Sequence, residues 1–116
     1  MATESVRLAR LDGRVVVEQC LVAARPLRRM RGLLGRSELP AGEGILLRPA
    51  ASIHTAFMRF PIDVVFLDRE LVVVGIEREL RPWRAAAKRH AHSALELASG
   101  ECERRKLELG DRLAFT

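Results

Sequence analysis

The sequence predicts a mainly β (α+β) protein: a small jelly-roll-like sandwich or barrel-like roll of about eight strands with one covering helix. Three observations point to this class. Short apolar segments recur roughly every eight to twelve residues between turn residues, only one longer segment has helical spacing, and that segment lies between hairpins. A doubly wound parallel sheet is disfavoured, because its helices and strands would alternate.

Turn residues and periodicity place the first elements. Residues 6–23 contain two apolar strands joined by Asp12-Gly13, a dipeptide that accepts the positive φ angles of a tight hairpin turn. Pro26 then fits the first turn of a helix with apolar residues at helical spacing and arginines on its other side. This helix should end near Gly35, because the residues that follow lack periodicity.

The rest of the chain contains short strands separated by turns. Pro61 cannot donate a ladder hydrogen bond, so it separates a strand at 52–58 from a second strand at 62–68. A polar turn at 68–70 then makes a hairpin with the strand that follows. The remaining predictions are strands at 45–48, 71–80, 93–99 and 111–115, an irregular connection that starts at Arg81, and a short helical turn within 100–110.

The length and the composition suit one domain in a reducing compartment. We place this domain at 1–116, with residues 1–5 as a flexible N-terminus. No signal peptide is visible and no apolar run approaches the ~20 residues that cross a bilayer, so we expect a soluble cytoplasmic protein without membrane insertion. Cys20 and Cys102 lack the spacing of a zinc site or a thioredoxin-like pair, so we expect free thiols that are plain packing or surface residues.

The positive charge of the chain is concentrated in two segments. The net charge is +5, yet residues 25–36 hold five arginines and residues 81–92 hold four basic residues, and neither segment contains an acid. Such clusters attract phosphates or acidic partners. The alternative is a solvated face that reflects the preference of this chain for arginine, with 18 arginines against 2 lysines.

The stretch SIHTAFMRFPIDVVFLD, residues 52–68, holds the best catalytic candidates. His54 and Asp63 are an acid–base pair within it, and Glu96 stands alone among the apolar residues of a later strand. His54 with Asp63 or Glu96 could act as a general base, or bind a metal if further ligands converged. The alternative is structural: Asp63 accepts backbone hydrogen bonds from the loop around Pro61, and His54 is an ordinary strand histidine.

Arginine side chains suggest an anion site instead. Arg31, Arg36 and Arg59, together with His54, are the candidate ligand-binding residues, because a guanidinium group presents a rigid fork of donors that suits a carboxylate or a phosphate. Their alternative role is structural pairing with buried acids. Trp83 is either a stacking platform for a base or sugar, or a cover for the edge of the core.

A metal site is not predicted. His90 and His92 stand two residues apart and would project from one side of a strand, which can begin such a site. Lys88 and Arg89 beside them oppose a cation, and no cysteine or carboxylate stands nearby at zinc spacing. We expect no metal and no cofactor.

The order of the segments resembles a known family. RGLLGR at 31–36, GILL at 44–47, IHTAFMRFPIDVVFLD at 53–68, ALELASGECERRKLELGD at 94–111 and a final short strand resemble the domain of unknown function 192 family, from about residue 10 to residue 116. The resemblance implies a mainly β, jelly-roll-like sandwich with one helix. It implies no activity and therefore no catalytic residues. Many members begin with a signal or lipoprotein segment, whereas this chain begins almost at its first strand.

Together these observations favour a non-enzymatic binding or accessory module that recognises a small acidic ligand or an acidic protein partner through an arginine-lined pocket. One alternative is a hydrolase-like or metal-assisted enzyme that uses His54 with Asp63 or Glu96. The other is weak nucleic-acid binding through the two basic segments, which requires both segments to share one face. The sequence leaves open whether the protein is an enzyme.

Overall fold

The structure is a computed structural model that describes residues 5–23 and 38–116, which form nine strands and one short helix. The predicted mainly β class is confirmed, while the helix predicted from Pro26 to Gly35 lies outside the described residues. The strands are β1 (Ser5–Arg10), β2 (Val15–Ala23), β3 (Glu43–Leu47), β4 (Ser52–His54), β5 (Ile62–Leu67), β6 (Val73–Leu80), β7 (Ala85–Ala87), β8 (Ser93–Ala98) and β9 (Leu113–Phe115), and the helix is α1 (Glu101–Arg104).

Seven of these strands form one curled sheet. Its order is β6-β5-β8-β3-β2-β1-β9, and β4 pairs only with β7 in a separate two-stranded ribbon. The pairing is antiparallel except between β2 and β3, which run parallel and are joined by a connection long enough for a crossover. The edge strands β6 and β9 approach each other at a bridge between Val72 and Arg112, so the sheet curls without closing into a barrel.

Both predicted hairpins are present. The turn between β1 and β2 has Gly13 at φ 93°, and Asp12 Oδ1 accepts the N–H of Arg14 at 3.0 Å. In the turn between β5 and β6, Asp68 Oδ1 accepts the backbone N–H groups of two residues that follow it, both at 2.9 Å. Short side chains that bond to their own turn explain why these turns are visible in the sequence.

The central strands are buried on both faces of the sheet. All six residues of β5 are buried, as are five of the six in β8. One face packs against α1 and β9, and the other packs against the ribbon of β4 and β7 through Ile53, Met58 and Phe60. This double burial explains why β5 is apolar at every position except Asp63, which is unlike the alternating pattern of a half-exposed strand.

The central segment departs from the sequence prediction. The strand predicted at 52–58 ends at His54, and it pairs with β7 rather than lying beside β5. The segment that starts at Arg81, predicted to be irregular, contains β7. Three consecutive alanines have little intrinsic preference for strands, so pairing with β4 decides their conformation.

The one helix of the described ranges has four residues and cannot cross a bilayer. It confirms the predicted helical turn after Gly100, which itself lies in the left-handed region at φ 91°.

Both cysteines are free thiols buried in the core, so of the two predicted roles, packing or surface, the structure shows packing. The pKa of each thiol is raised from an ordinary value of 9.0 to about 12, chiefly by burial, and at Cys102 the neighbouring Asp63 carboxylate contributes to the rise. Because the folded state holds these protons more tightly than the unfolded state, the thiols stabilise the fold below pH 9, and this contribution is lost as the pH rises towards 12.

We therefore expect neither Cys20 nor Cys102 to react with an aromatic disulfide reagent at pH 8 in the native protein. Unfolding in guanidinium chloride should expose both, and absorbance of the released thiolate should then report two thiols per chain. Rapid labelling of one thiol in the native protein would contradict its burial.

Candidate functional site

Chemically distinctive side chains gather on the ribbon of β4 and β7 and the loops that continue it. We call residues 52–61 and 81–92 the cationic ribbon. Ile53 faces Ala86, and this pair packs onto the sheet. The pairs on either side of it, Ser52 with Ala87 and His54 with Ala85, are exposed, so the outer face carries three small side chains and one imidazole.

The cationic ribbon is one of two strongly basic parts of the sequence, and residues 25–36 are the other. The ribbon contains no Asp or Glu and five basic residues, which leaves fifteen basic and fifteen acidic residues in the rest of the chain. The ribbon thus carries +5 and the remainder is neutral. Such a local field attracts anions and steers their approach. The five residues are Arg59, Arg81, Arg84, Lys88 and Arg89.

Thr55 joins the two halves of the ribbon. Its side chain is fully buried, and its hydroxyl accepts the N–H of Arg84 at 2.9 Å and donates towards the carbonyl oxygen of Arg81. Its backbone N–H donates to the carbonyl of Arg84 at 2.8 Å, and its carbonyl accepts the N–H of Trp83 at 3.0 Å. One buried threonine therefore fixes both loops in one arrangement.

Beyond this junction two aromatic side chains project into solvent. Phe57 is 60% exposed and Trp83 is 58% exposed, and their rings meet edge to face with centroids 4.5 Å apart. Both residues have positive φ angles, 67° and 64°, which bulky residues rarely adopt. Exposed apolar rings held in a strained backbone often mark a binding site.

The arginines next to the aromatic pair are available to a ligand. Arg59, Arg81 and Arg84 are exposed, and within the described residues no carboxylate forms an ion pair with them. Each stands within two residues of Phe57 or Trp83. Arg31 and Arg36, the other predicted ligand-binding arginines, lie outside the described residues.

His54 is exposed at the end of β4, and its Nδ1 accepts the N–H of Ala56 at 3.3 Å. The sequence predicted His54 as the partner of Asp63 or Glu96 in an acid–base pair. The structure instead puts β4 and β5 in different sheets. His54 therefore belongs to the outer face of the cationic ribbon.

Asp63 is fully buried, and its carboxylate is occupied by the backbone. Oδ1 accepts the N–H of Glu79 at 2.9 Å, and Oδ2 accepts the N–H groups of Gly100 at 3.1 Å and Cys102 at 2.9 Å. The structural alternative in the sequence analysis named the loop around Pro61 as the donor, whereas the donors come from the end of β6 and the start of α1. A carboxylate that holds three segments together is a poor general base.

Asp63 and Glu96 lie on opposite faces of the sheet. Asp63 is directly opposite Leu97, and Val64 is directly opposite Glu96. Opposed residues of an antiparallel pair share a face and successive residues alternate, so the two carboxylates point apart. Glu96 is buried on the face covered by the ribbon. Only one of these two acids can therefore share a site with His54.

His90 lies in a turn and His92 lies in the short connection before β8, so the two do not project from one strand. His90 has φ 67° and is exposed, while the N–H of His92 donates to the carbonyl of Leu67 at 2.7 Å. Across residues 5–23 and 38–116, no three His, Cys, Asp or Glu side chains come together in a way that could hold a metal ion.

The arrangement of the strands agrees with the family suggested by the sequence. The model of the DUF192 family, described as Uncharacterized ACR, matches residues 8–115. The chain belongs to the DUF192 family. This assignment confirms the resemblance, and the family description names no activity.

Similar proteins occur in two Pyrococcus species. UPF0127 proteins of Pyrococcus furiosus and Pyrococcus abyssi are 44% and 42% identical to this chain over 66 residues. Each alignment covers 56% of this chain and 56% of the relative, so the match spans about half the length of these curated relatives.

Two crystal structures share the fold. One, from Sinorhizobium meliloti 1021 and described as a proposed transcription regulator, is 25% identical, with a TM-score of 0.82 over 98% of this chain and 94% of that chain. The other, a protein of unknown function from Novosphingobium aromaticivorans, is 23% identical, with a TM-score of 0.77 over 97% of this chain and 84% of its own.

Proposed function

We propose that this DUF192 protein is a non-enzymatic binding module whose cationic ribbon recognises an acidic ligand or an acidic segment of a partner protein. The observation that carries the proposal is the charge of the cationic ribbon, because it holds five basic residues and no acid. Arg59 and His54 are the described residues among the predicted ligand-binding set, and both are exposed on this ribbon.

The aromatic pair supports a binding role. A few side chains provide most of the binding free energy of a protein interface, and tryptophan and arginine are enriched among them. Phe57 and Trp83 supply apolar area in a fixed geometry, while Arg59 and Arg84 beside them supply charge-assisted donors. Because the hydrogen bonds of Thr55 hold the loops in one arrangement, binding a ligand would cost little free energy for ordering these loops.

Trp83 is the only tryptophan of the chain, so its fluorescence reports on this surface without a label. We expect blocked hexaglutamate to change the emission of Trp83 at low salt and blocked hexaglutamine to leave it unchanged. Raising the salt from about 20 to 200 mM should weaken the binding several-fold, because exposed charges are screened.

The double substitution R59A/R84A should weaken hexaglutamate binding about five- to tenfold, because each of the two exposed charges contributes roughly 0.5 kcal/mol or more to the binding free energy. R69A/R112A is the matched control, since it removes two exposed arginines outside the ribbon and should change the affinity far less. Equal losses in the two variants would reject the ribbon as the recognition surface.

Nucleic acid is the second candidate, favoured by the description of the S. meliloti structure as a proposed transcription regulator. One of the two basic segments invoked for it, 25–36, lies outside the described residues. The same titration with a hexathymidylate strand decides between the two ligands. Tighter binding of the oligonucleotide than of hexaglutamate would overturn the acidic-partner proposal.

A further inference from the structure

The outer edge of β7, on the side away from β4, has backbone groups that point out of the cationic ribbon. The N–H of Lys88 donates to the carbonyl of Ala51 at 2.9 Å, and the N–H of Thr55 donates to the carbonyl of Arg84 at 2.8 Å. In an antiparallel ladder, hydrogen-bonded pairs alternate with pairs whose backbone groups face outward. The N–H and C=O groups of Ala85 and Ala87 therefore point to the outer edge of β7.

These outward groups have no partner within the described residues. No backbone or side-chain hydrogen bond of the described segments involves Ala85 or Ala87 beyond their pairing with β4. Both side chains are methyl groups and both residues are exposed, so nothing on the residues themselves shields the edge. A strand edge of this kind is a template for another strand.

The β7 edge opens into a groove with a volume of about 690 Å³. Ala87 and Lys88 line one side of it, the edge strand β6 from Val74 to Arg78 lines another, and residues 107–109 close the end. The Lys88 stem lies over Gly75, where a Cβ atom would approach its Cγ and Cδ to 3.0 Å. The groove is of a size that accommodates a short peptide.

The charge around this edge selects the occupant. Arg84 precedes β7, and Lys88 and Arg89 follow it, so cations lie at both ends of the strand, while Glu77 and Glu108 line the groove beside it. The five residues from Arg84 to Lys88 span about 16 Å when extended, which matches a peptide of about five residues with acids towards both ends. A second copy of this chain is disfavoured, because it would bring one +5 ribbon against another.

We infer that an extended acidic peptide of a partner protein binds by adding a strand to the outer edge of β7. Its backbone pairs with the outward N–H and C=O groups of Ala85 and Ala87, and its acidic side chains lie near the flanking cations. The inference rests on the proposed function and specifies how the acidic partner is held. Hydrogen bonds from the backbone provide the alignment, and the cations provide the selectivity for acids.

The test uses the whole chain and a blocked pentapeptide, Glu-Val-Glu-Val-Glu, followed by Trp83 fluorescence. Two N-methylated versions carry the same charge, and they differ in which alternate set of backbone amides is methylated. Methylation of the amides that face β7 should weaken binding about tenfold or more, because two backbone hydrogen bonds are lost. The peptide with the other set methylated is the matched control and should bind like the parent peptide.

Amide hydrogen exchange at Ala85 and Ala87 should slow at least about tenfold with the parent peptide.

The outcomes separate this inference from the proposed function. If hexaglutamate and the pentapeptide both bind but neither methylated set matters, strand addition is wrong and the proposed function stands. If no acidic peptide binds, both are rejected. Hexathymidylate binding in place of the peptides overturns both in favour of nucleic acid. Concentration-dependent dimers in sedimentation, with protection of Ala85 and Ala87 in the absence of peptide, would show that a second copy occupies the edge.

Discussion

The substitution D63A is expected to lower the free energy of unfolding by about 3 to 5 kcal/mol, the largest effect of any single change considered for this protein. The Asp63 carboxylate accepts three backbone N–H groups while fully buried. Its removal leaves those donors without an acceptor at the end of β6 and the start of α1. Equilibrium denaturation in urea, followed by far-ultraviolet circular dichroism, measures the loss.

The isosteric change D63N distinguishes hydrogen bonding from packing. Asparagine keeps the shape, but its amide nitrogen would face either Glu79 or the two donors at Gly100 and Cys102, so we expect a loss close to that of D63A. D12N is the matched control, because the half-exposed Asp12 accepts one N–H within its own turn. This substitution should lower the free energy of unfolding by less than about 1 kcal/mol. A D63N protein as stable as D12N would show that the three bonds contribute little.

The second large effect is expected at Thr55, which we regard as a positioning residue of the cationic ribbon. T55V preserves shape but removes the hydroxyl, leaving the N–H of Arg84 without its acceptor in a buried site. We expect a loss of about 2 kcal/mol in the free energy of unfolding. Because the same hydroxyl joins the two loops, Phe57 and Trp83 should lose their fixed contact, and hexaglutamate binding should weaken about tenfold.

The conservative change T55S keeps the hydroxyl and is the control for this prediction. It should restore the Trp83 emission and the affinity for hexaglutamate, with a stability loss below about 1 kcal/mol. The substitutions R59A/R84A, in contrast, should reduce affinity with little effect on unfolding. A T55V protein that binds normally while being less stable would show that Thr55 supports the fold without positioning the site.

Parts of this site were visible in the sequence. The exposed Trp83 and Arg59 were candidates because their side chains suit anions and rings, and their placement on the ribbon agrees with a binding role. Phe57 and Thr55 were missed. Nothing in their local sequence signals a positive φ angle at a phenylalanine, or a threonine that bonds to residues 26 and 29 positions away.

The acid–base candidates show why sequence spacing is a weak guide to geometry. Asp63 and Glu96 both looked like lone polar residues in apolar strands, and each is buried as that pattern implies. The register between β5 and β8 places them on opposite faces. A shift of that register by one residue would reverse the face of a side chain, so no pattern within either strand could reveal the outcome.

The amino-acid sequence by itself determined the mainly β class, the two hairpins and the family. Turn chemistry and apolar periodicity act within a few residues, so they can be interpreted wherever they occur. Only the tertiary structure decided that β4 pairs with β7, that the basic residues of 52–61 and 81–92 share one ribbon, and that Asp63 holds distant backbone segments. Such contacts join residues far apart in the chain, and their free energy depends on the packing of the whole sheet rather than on the preference of any single segment.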